Sequence, residues 1–69
     1  MTNREREIFD FIKGFIKIKG YSPTVREICK ALFITVNTVH NHIMNLKDKG
    51  FIQHTERVAR SIVVRGVAV

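Results

Sequence analysis

Between Thr35 and Lys47 the chain carries three asparagines, two threonines and two histidines, and no carboxylate stands there before Asp48. On a helix turning about 100° per residue, Asn37, Asn41, Met44 and Asn45 share one face, with Thr38 and His40 at its margins. These side chains offer uncharged donors and acceptors. An asparagine amide can pair in bidentate fashion with adenine, a threonine can touch the methyl of thymine, and carboxylates here would repel phosphate. Such a face is chemically suited to the major groove of a duplex. The same polarity would also serve a plain solvated helix, so the surrounding elements matter.

Positive charge flanks this face. Arg57, Arg60 and Arg65 fall in the last third of the chain, Lys47 and Lys49 at the end of the asparagine-bearing segment, and Arg26 near the start of an earlier apolar stretch. As phosphate contacts these groups would displace condensed counterions, and a helix start at Arg26 would add free N–H groups for phosphate. Each could instead be a solvated charge, and Arg26 could pair with Glu27. Twelve Lys and Arg against six Asp and Glu give a net charge of +6, which favours polyanionic partners such as nucleic acid or an acidic membrane surface.

The elements that must position these residues follow from periodicity and punctuation. A chain of 69 residues, 45% of them hydrophobic, makes one small domain. Thr2 and Glu5 have capping-box spacing, and Ile8, Phe11, Ile12, Phe15 and Ile18 recur at three and four residues, which predicts a helix from residue 3 or 4 to 19 ending at Gly20. Thr24 and Glu27 repeat the capping box before Val25, Ile28, Cys29 and Leu32, a helix of about two turns. After a break at Phe33-Ile34-Thr35, with Thr35 as N-cap, Val36, Val39, Ile43 and Leu46 form the apolar side of a third helix that Gly50 stops. Residues 51–55 and 61–65 then read as two strands joined by a turn of about five residues. Two short helices around a tight turn describe a helix-turn-helix unit.

Other chemistry finds little footing. His40 and His42 lie about 200° apart on a helix and cannot share one ion, and with Cys29 and His54 they match no zinc spacing, so no metal is expected. There is no glycine-rich phosphate loop and no pocket-forming acid pair, and Ser22 and Ser61 sit in no hydrolytic motif. No enzyme activity, cofactor or small-molecule ligand is expected. The single Cys29 precludes an intramolecular disulfide, and no apolar run approaches the length of a membrane span; the expectation is a cytoplasmic protein with no membrane association.

The segments Gly20-Tyr21-Ser22-Pro23-Thr24-Val25-Arg26-Glu27-Ile28, Thr38-Val39-His40-Asn41-His42-Ile43 and Lys49-Gly50-Phe51-Ile52 together resemble the N-terminal DNA-binding domain of LexA repressors. The resemblance implies a mainly α fold with a small β-hairpin, a winged helix-turn-helix of three helices and a two-stranded antiparallel wing over residues 1–65, with 66–69 as a tail or linker start. It implies sequence-specific binding of double-stranded DNA by a transcriptional repressor or its DNA-binding part. Thr35, Asn37, Thr38, His40 and Asn41 would contact bases, and Arg26, Asn45, Lys47, Lys49, Arg57 and Arg60 the backbone. The alternative is a winged-helix module of the same fold that binds a protein, such as a repressor or polymerase. The turn before the third helix is one residue shorter than the usual LexA form, with Phe33 where glycine is common. That shift rotates the side chains at the helix start by about 100°. The family's autoproteolytic half has no counterpart within these residues.

The first helix is unusually apolar, with Phe15 and Ile18 beyond what one core needs. Either the hairpin or Val67–Val69 covers them, or they form a patch for a homodimer or another protein.

Overall fold

The computed structural model describes residues 2–55, 58 and 60–64. Helix α1 (Asn3–Lys19) starts where the Thr2 hydroxyl accepts the Glu5 N–H at 3.1 Å and the Glu5 carboxylate accepts the Thr2 N–H at 3.2 Å. This reciprocal pair satisfies N–H groups that a helix start otherwise leaves open. The helix stops at Gly20, whose φ of 82° is left-handed. Helix α2 (Val25–Leu32) repeats the device with Thr24 and Glu27, at 3.1 and 2.8 Å. It ends at Phe33, and the Ile34 N–H returns to the Cys29 carbonyl at 3.2 Å.

Helix α3 (Val36–Asp48) is capped by Thr35, whose hydroxyl accepts the Thr38 N–H. At its far end Phe51 N–H reaches the Leu46 carbonyl at 2.9 Å and Gly50 N–H the Lys47 carbonyl at 3.0 Å, with Gly50 at φ 84°. This is the double closure of a Schellman motif, which needs a left-handed residue at Gly50.

The core is one cluster: Ile8 and Ile12 from α1, Ile28 from α2, Val39, Ile43 and Leu46 from α3, and Ile52 and Ile62 from the wing. Truncating one of these isoleucines or Leu46 to alanine costs about 2–5 kcal/mol, comparable to the ~3–5 kcal/mol that a core of this size supplies in total. Helix α3 packs against α1, α2 and the first wing strand, so one side of it is wholly internal and the other is left open. Val36 departs from the expected apolar side. It stands at the first helical position, outside the core cluster, and is 43% exposed.

The wing consists of β1 (Ile52–Gln53) and β2 (Val63–Val64), antiparallel, with Ile52 opposite Val64 and Gln53 opposite Val63. These strands are shorter than the sequence suggests, because beyond Gln53 a side chain takes over from the ladder. The Ser61 hydroxyl accepts the Thr55 N–H at 3.1 Å and lies 2.9 and 2.8 Å from the Thr55 and Val58 carbonyls. Two such strands are not stable alone; the buried Ile52 and Ile62 fasten them to the helices. Arg57, Arg65 and the tail 66–69, to which the sequence assigned roles, lie outside the described residues.

Candidate nucleic-acid interface

The open side of α3 carries Asn37, His40 and Asn41 exposed, with Thr38 and Met44 half-buried beside them. Their position follows from the burial of Val39, Ile43 and Leu46 on the opposite side. Thr35 is engaged in the cap: besides accepting the Thr38 N–H it donates its hydroxyl to Thr38 Oγ1 at 2.9 Å. Thr38 thus accepts from Thr35 and keeps its own hydroxyl proton to donate.

Beside this face, the start of α2, the middle of α3 and the wing enclose a cleft of about 350 Å³ whose lining includes Arg26, His40, His54 and Arg60. Three of the residues assigned to DNA from the sequence therefore converge. Their situations differ. Arg26 is exposed and its side chain makes no ion pair or hydrogen bond among the described residues. Arg60 donates to both Glu27 oxygens at 3.0 and 3.2 Å and to the Ser22 carbonyl at 2.9 Å, and its guanidinium lies 4.6 Å from the Tyr21 ring centroid. Glu27 thus pairs with Arg60 and not with its neighbour Arg26. The Thr24 N–H first, and the Arg60 guanidinium second, hold the Glu27 carboxyl below the usual carboxylate range. On the other flank Lys47 borders a second cleft with Gln53, His54 and Thr55 of the wing.

Asn45 and Lys49 face a different neighbour. The Glu5 carboxylate, 3% exposed, accepts the Lys49 ammonium at 3.0 Å and the Asn45 amide at 3.3 Å, and His42 Nδ1 stands 3.9 Å away. The Lys49 hydrogen bond, then the Thr2 N–H, lower the Glu5 pKa from the ordinary 4.5 to about 2. A buried carboxylate held charged by donors from 40 and 44 residues away locks α3 onto α1.

The profile of the LexA DNA binding domain matches residues 1–61. The chain belongs to that family. It is 43% identical over 65 residues to the LexA repressor of Caldicellulosiruptor saccharolyticus, covering 93% of this chain and 32% of the relative. The LexA repressor of Clostridium kluyveri is 44% identical over 64 residues, covering 91% and 32%, and that of Oceanobacillus iheyensis 42% over 65 residues, covering 93% and 31%. The chain therefore spans about a third of the length of the LexA repressors it matches. The three helices and antiparallel wing are the LexA-type winged helix-turn-helix expected from the sequence.

In this LexA-type domain His40 of α3 and Arg26 share the wing cleft, whereas Asn45 and Lys49 are drawn toward α1. Phe15 is half-buried, its ring 5.8 Å from those of Phe11 and Tyr21, while Ile18 is 82% exposed and the described part of the wing does not cover it. Glu5 is the residue whose importance the sequence hides, since its local spacing shows only a capping box. The signal was present: Glu5, Ile8 and Ile12 fall on one helical face, and a carboxylate there requires donors from elsewhere. Likewise Ser61, with His54 Nδ1 at 3.2 Å, turned out to close the wing. Among the described residues no group of three His, Cys, Asp or Glu is placed to hold a metal, and no helix is long and apolar enough to cross a membrane.

Proposed function

We propose that this chain binds a specific sequence in double-stranded DNA and is the DNA-binding part of a transcriptional repressor. The observation that carries the reading is the exposed, carboxylate-free side of α3, rigidly backed by Val39, Ile43 and Leu46 and set beside Arg26 and the wing. With α3 in the major groove, Asn37 and Asn41, one turn apart, offer amides to adenine edges, and Thr38 offers a hydroxyl donor and a methyl. His40 reaches the same groove from the cleft side, and Thr35 sits at its mouth as cap.

Arg26 and Lys47, whose side chains make no ion pair or hydrogen bond among the described residues, are the primary phosphate contacts in this reading. Asn45, Lys49 and Arg60 join the backbone set only through the N–H groups that Glu5 and Glu27 leave over. Arg57 belongs with them by its place in the wing sequence. The unit that binds is residues 1–65, with 66–69 as a tail or the start of a linker, and its place of action is the cytoplasm. The chain acts by binding and not by catalysis: the Ser61 hydroxyl that approaches His54 is occupied by backbone groups of the wing. A homodimer through the helix α1 surface would match a palindromic site.

The test is selection from a random duplex pool at fixed salt. Enrichment of one sequence motif is expected; uniform recovery of all duplexes contradicts the reading.

A further inference from the structure

Phe33, at 92%, is the most exposed large apolar side chain among the described residues. It is also held at φ 56°, ψ 45°, the left-handed conformation that crowds the Cβ of any L-residue. The conformation closes α2, where the Phe33 and Ile34 N–H groups reach the Cys29 carbonyl, but glycine would close it without the Cβ crowding, and among the described residues nothing covers the ring. Arg60 provides the contrast: its φ of 58° is accompanied by contacts to Glu27, Ser22 and Tyr21. Phe9, Phe11, Phe15 and Phe51 each have a ring partner, and Phe33 has none among the described residues. An exposed phenylalanine at a cap that glycine would fill without strain points to an external contact.

The location limits what that contact is. Phe33 lies two residues before Thr35, the cap of α3, and Val36, 43% exposed, opens the helix on the far side of that cap. The two residues thus flank the cap from which the helix bearing Asn37 and Asn41 starts. Lys30 stands exposed in the last turn of α2, and no carboxylate occurs between Glu27 and Asp48, so the apolar pair sits in a surface that tolerates phosphate. The apolar group that base edges present in the major groove is the C5-methyl of thymine.

We infer, resting on the DNA-binding reading above, that Phe33 is a further specificity-determining residue, packing with Val36 on a thymine methyl at the groove edge where α3 enters. The strained backbone holds the ring outward before DNA arrives, so no ordering of the turn is needed on binding.

The experiment uses the duplex that the wild-type chain selects from a random pool, with each thymine replaced in turn by deoxyuridine, which lacks only the methyl. Affinities are measured for the wild type and for Phe33→Gly, together with thermal unfolding. The wild type should lose roughly tenfold at one thymine position, and Phe33→Gly should lose roughly tenfold on the unmodified duplex while becoming indifferent to that replacement. Unfolding temperature should rise in Phe33→Gly, because glycine relieves the left-handed strain. Stability and affinity moving in opposite directions separates a DNA contact from a structural role. Equal affinity of the two proteins for the unmodified duplex, or equal losses at every deoxyuridine, overturns the inference. A wild type that enriches no duplex overturns the DNA-binding reading itself, a different result from a wild type that reads sequence without needing Phe33.

Discussion

The Lys49 ammonium lies 3.0 Å from Glu5 Oε1, joining the end of α3 to the first turn of α1 across 44 residues of sequence. Because the folded pKa of Glu5 falls from 4.5 to about 2, the charged carboxylate contributes its full stability above about pH 4.5. That contribution is lost as pH drops through the folded value near 2. Glu5→Gln should therefore unfold at a lower temperature than the wild type at neutral pH, with the gap closing between about pH 4.5 and 2. Thermal unfolding of both proteins across that range checks it, and a gap independent of pH contradicts the assignment. Glu27 titrates alike in both proteins and cancels from the difference.

The cations around α3 should divide into two groups. Arg26→Ala and Lys47→Ala should each make the slope of log affinity against log salt shallower by about one unit, with little change in unfolding temperature. Lys49→Ala should lower the unfolding temperature, since it leaves the buried Glu5 carboxylate with one donor fewer, and should move the salt slope less. Salt titrations of the four proteins on one duplex separate the groups; equal slope changes in all three variants would refute the division.

Much of this arrangement was legible in the chain because it is local. The two capping boxes, the Thr35 cap and the glycines at 20 and 50 depend on residues within a few positions of one another, and each sits where the spacing places it. Partners distant in sequence were not legible. Nothing near Glu5 announces Asn45 and Lys49, and nothing near Glu27 announces Arg60, 33 residues on. These pairings form only once α1, α3 and the wing have packed, and they redirect three side chains that a one-dimensional reading assigns wholly to phosphate. Val36 shows a second limit: periodicity gives the face of a helix but not where its packing neighbours end. The wing strands show a third, since the Ser61 hydroxyl replaces ladder hydrogen bonds that β-branched composition alone suggests.

Phe15 and Ile18 should separate experimentally. Phe15→Ser removes a ring packed on Phe11 and Tyr21 and should cost at least about 0.5–1.5 kcal/mol. Ile18→Ser changes an exposed site and should alter stability by no more than about 0.5 kcal/mol. If α1 mediates self-association, sedimentation equilibrium from micromolar to near-millimolar concentration should show the wild type dimerising and Ile18→Ser remaining monomeric. A wild type that stays monomeric throughout rejects the homodimer.

The central claim is that the exposed side of α3 reads bases, and the most direct measurement is the affinity of Asn37→Ala and Asn41→Ala for the selected duplex and for random duplex at one salt concentration. Each variant should lose on the order of 1–3 kcal/mol on the selected duplex and much less on random DNA, because a bidentate base contact disappears while the phosphate contacts stay. Unfolding temperatures should match the wild type, as both side chains point away from the core. Equal losses on the two duplexes, or none on either, would contradict the account.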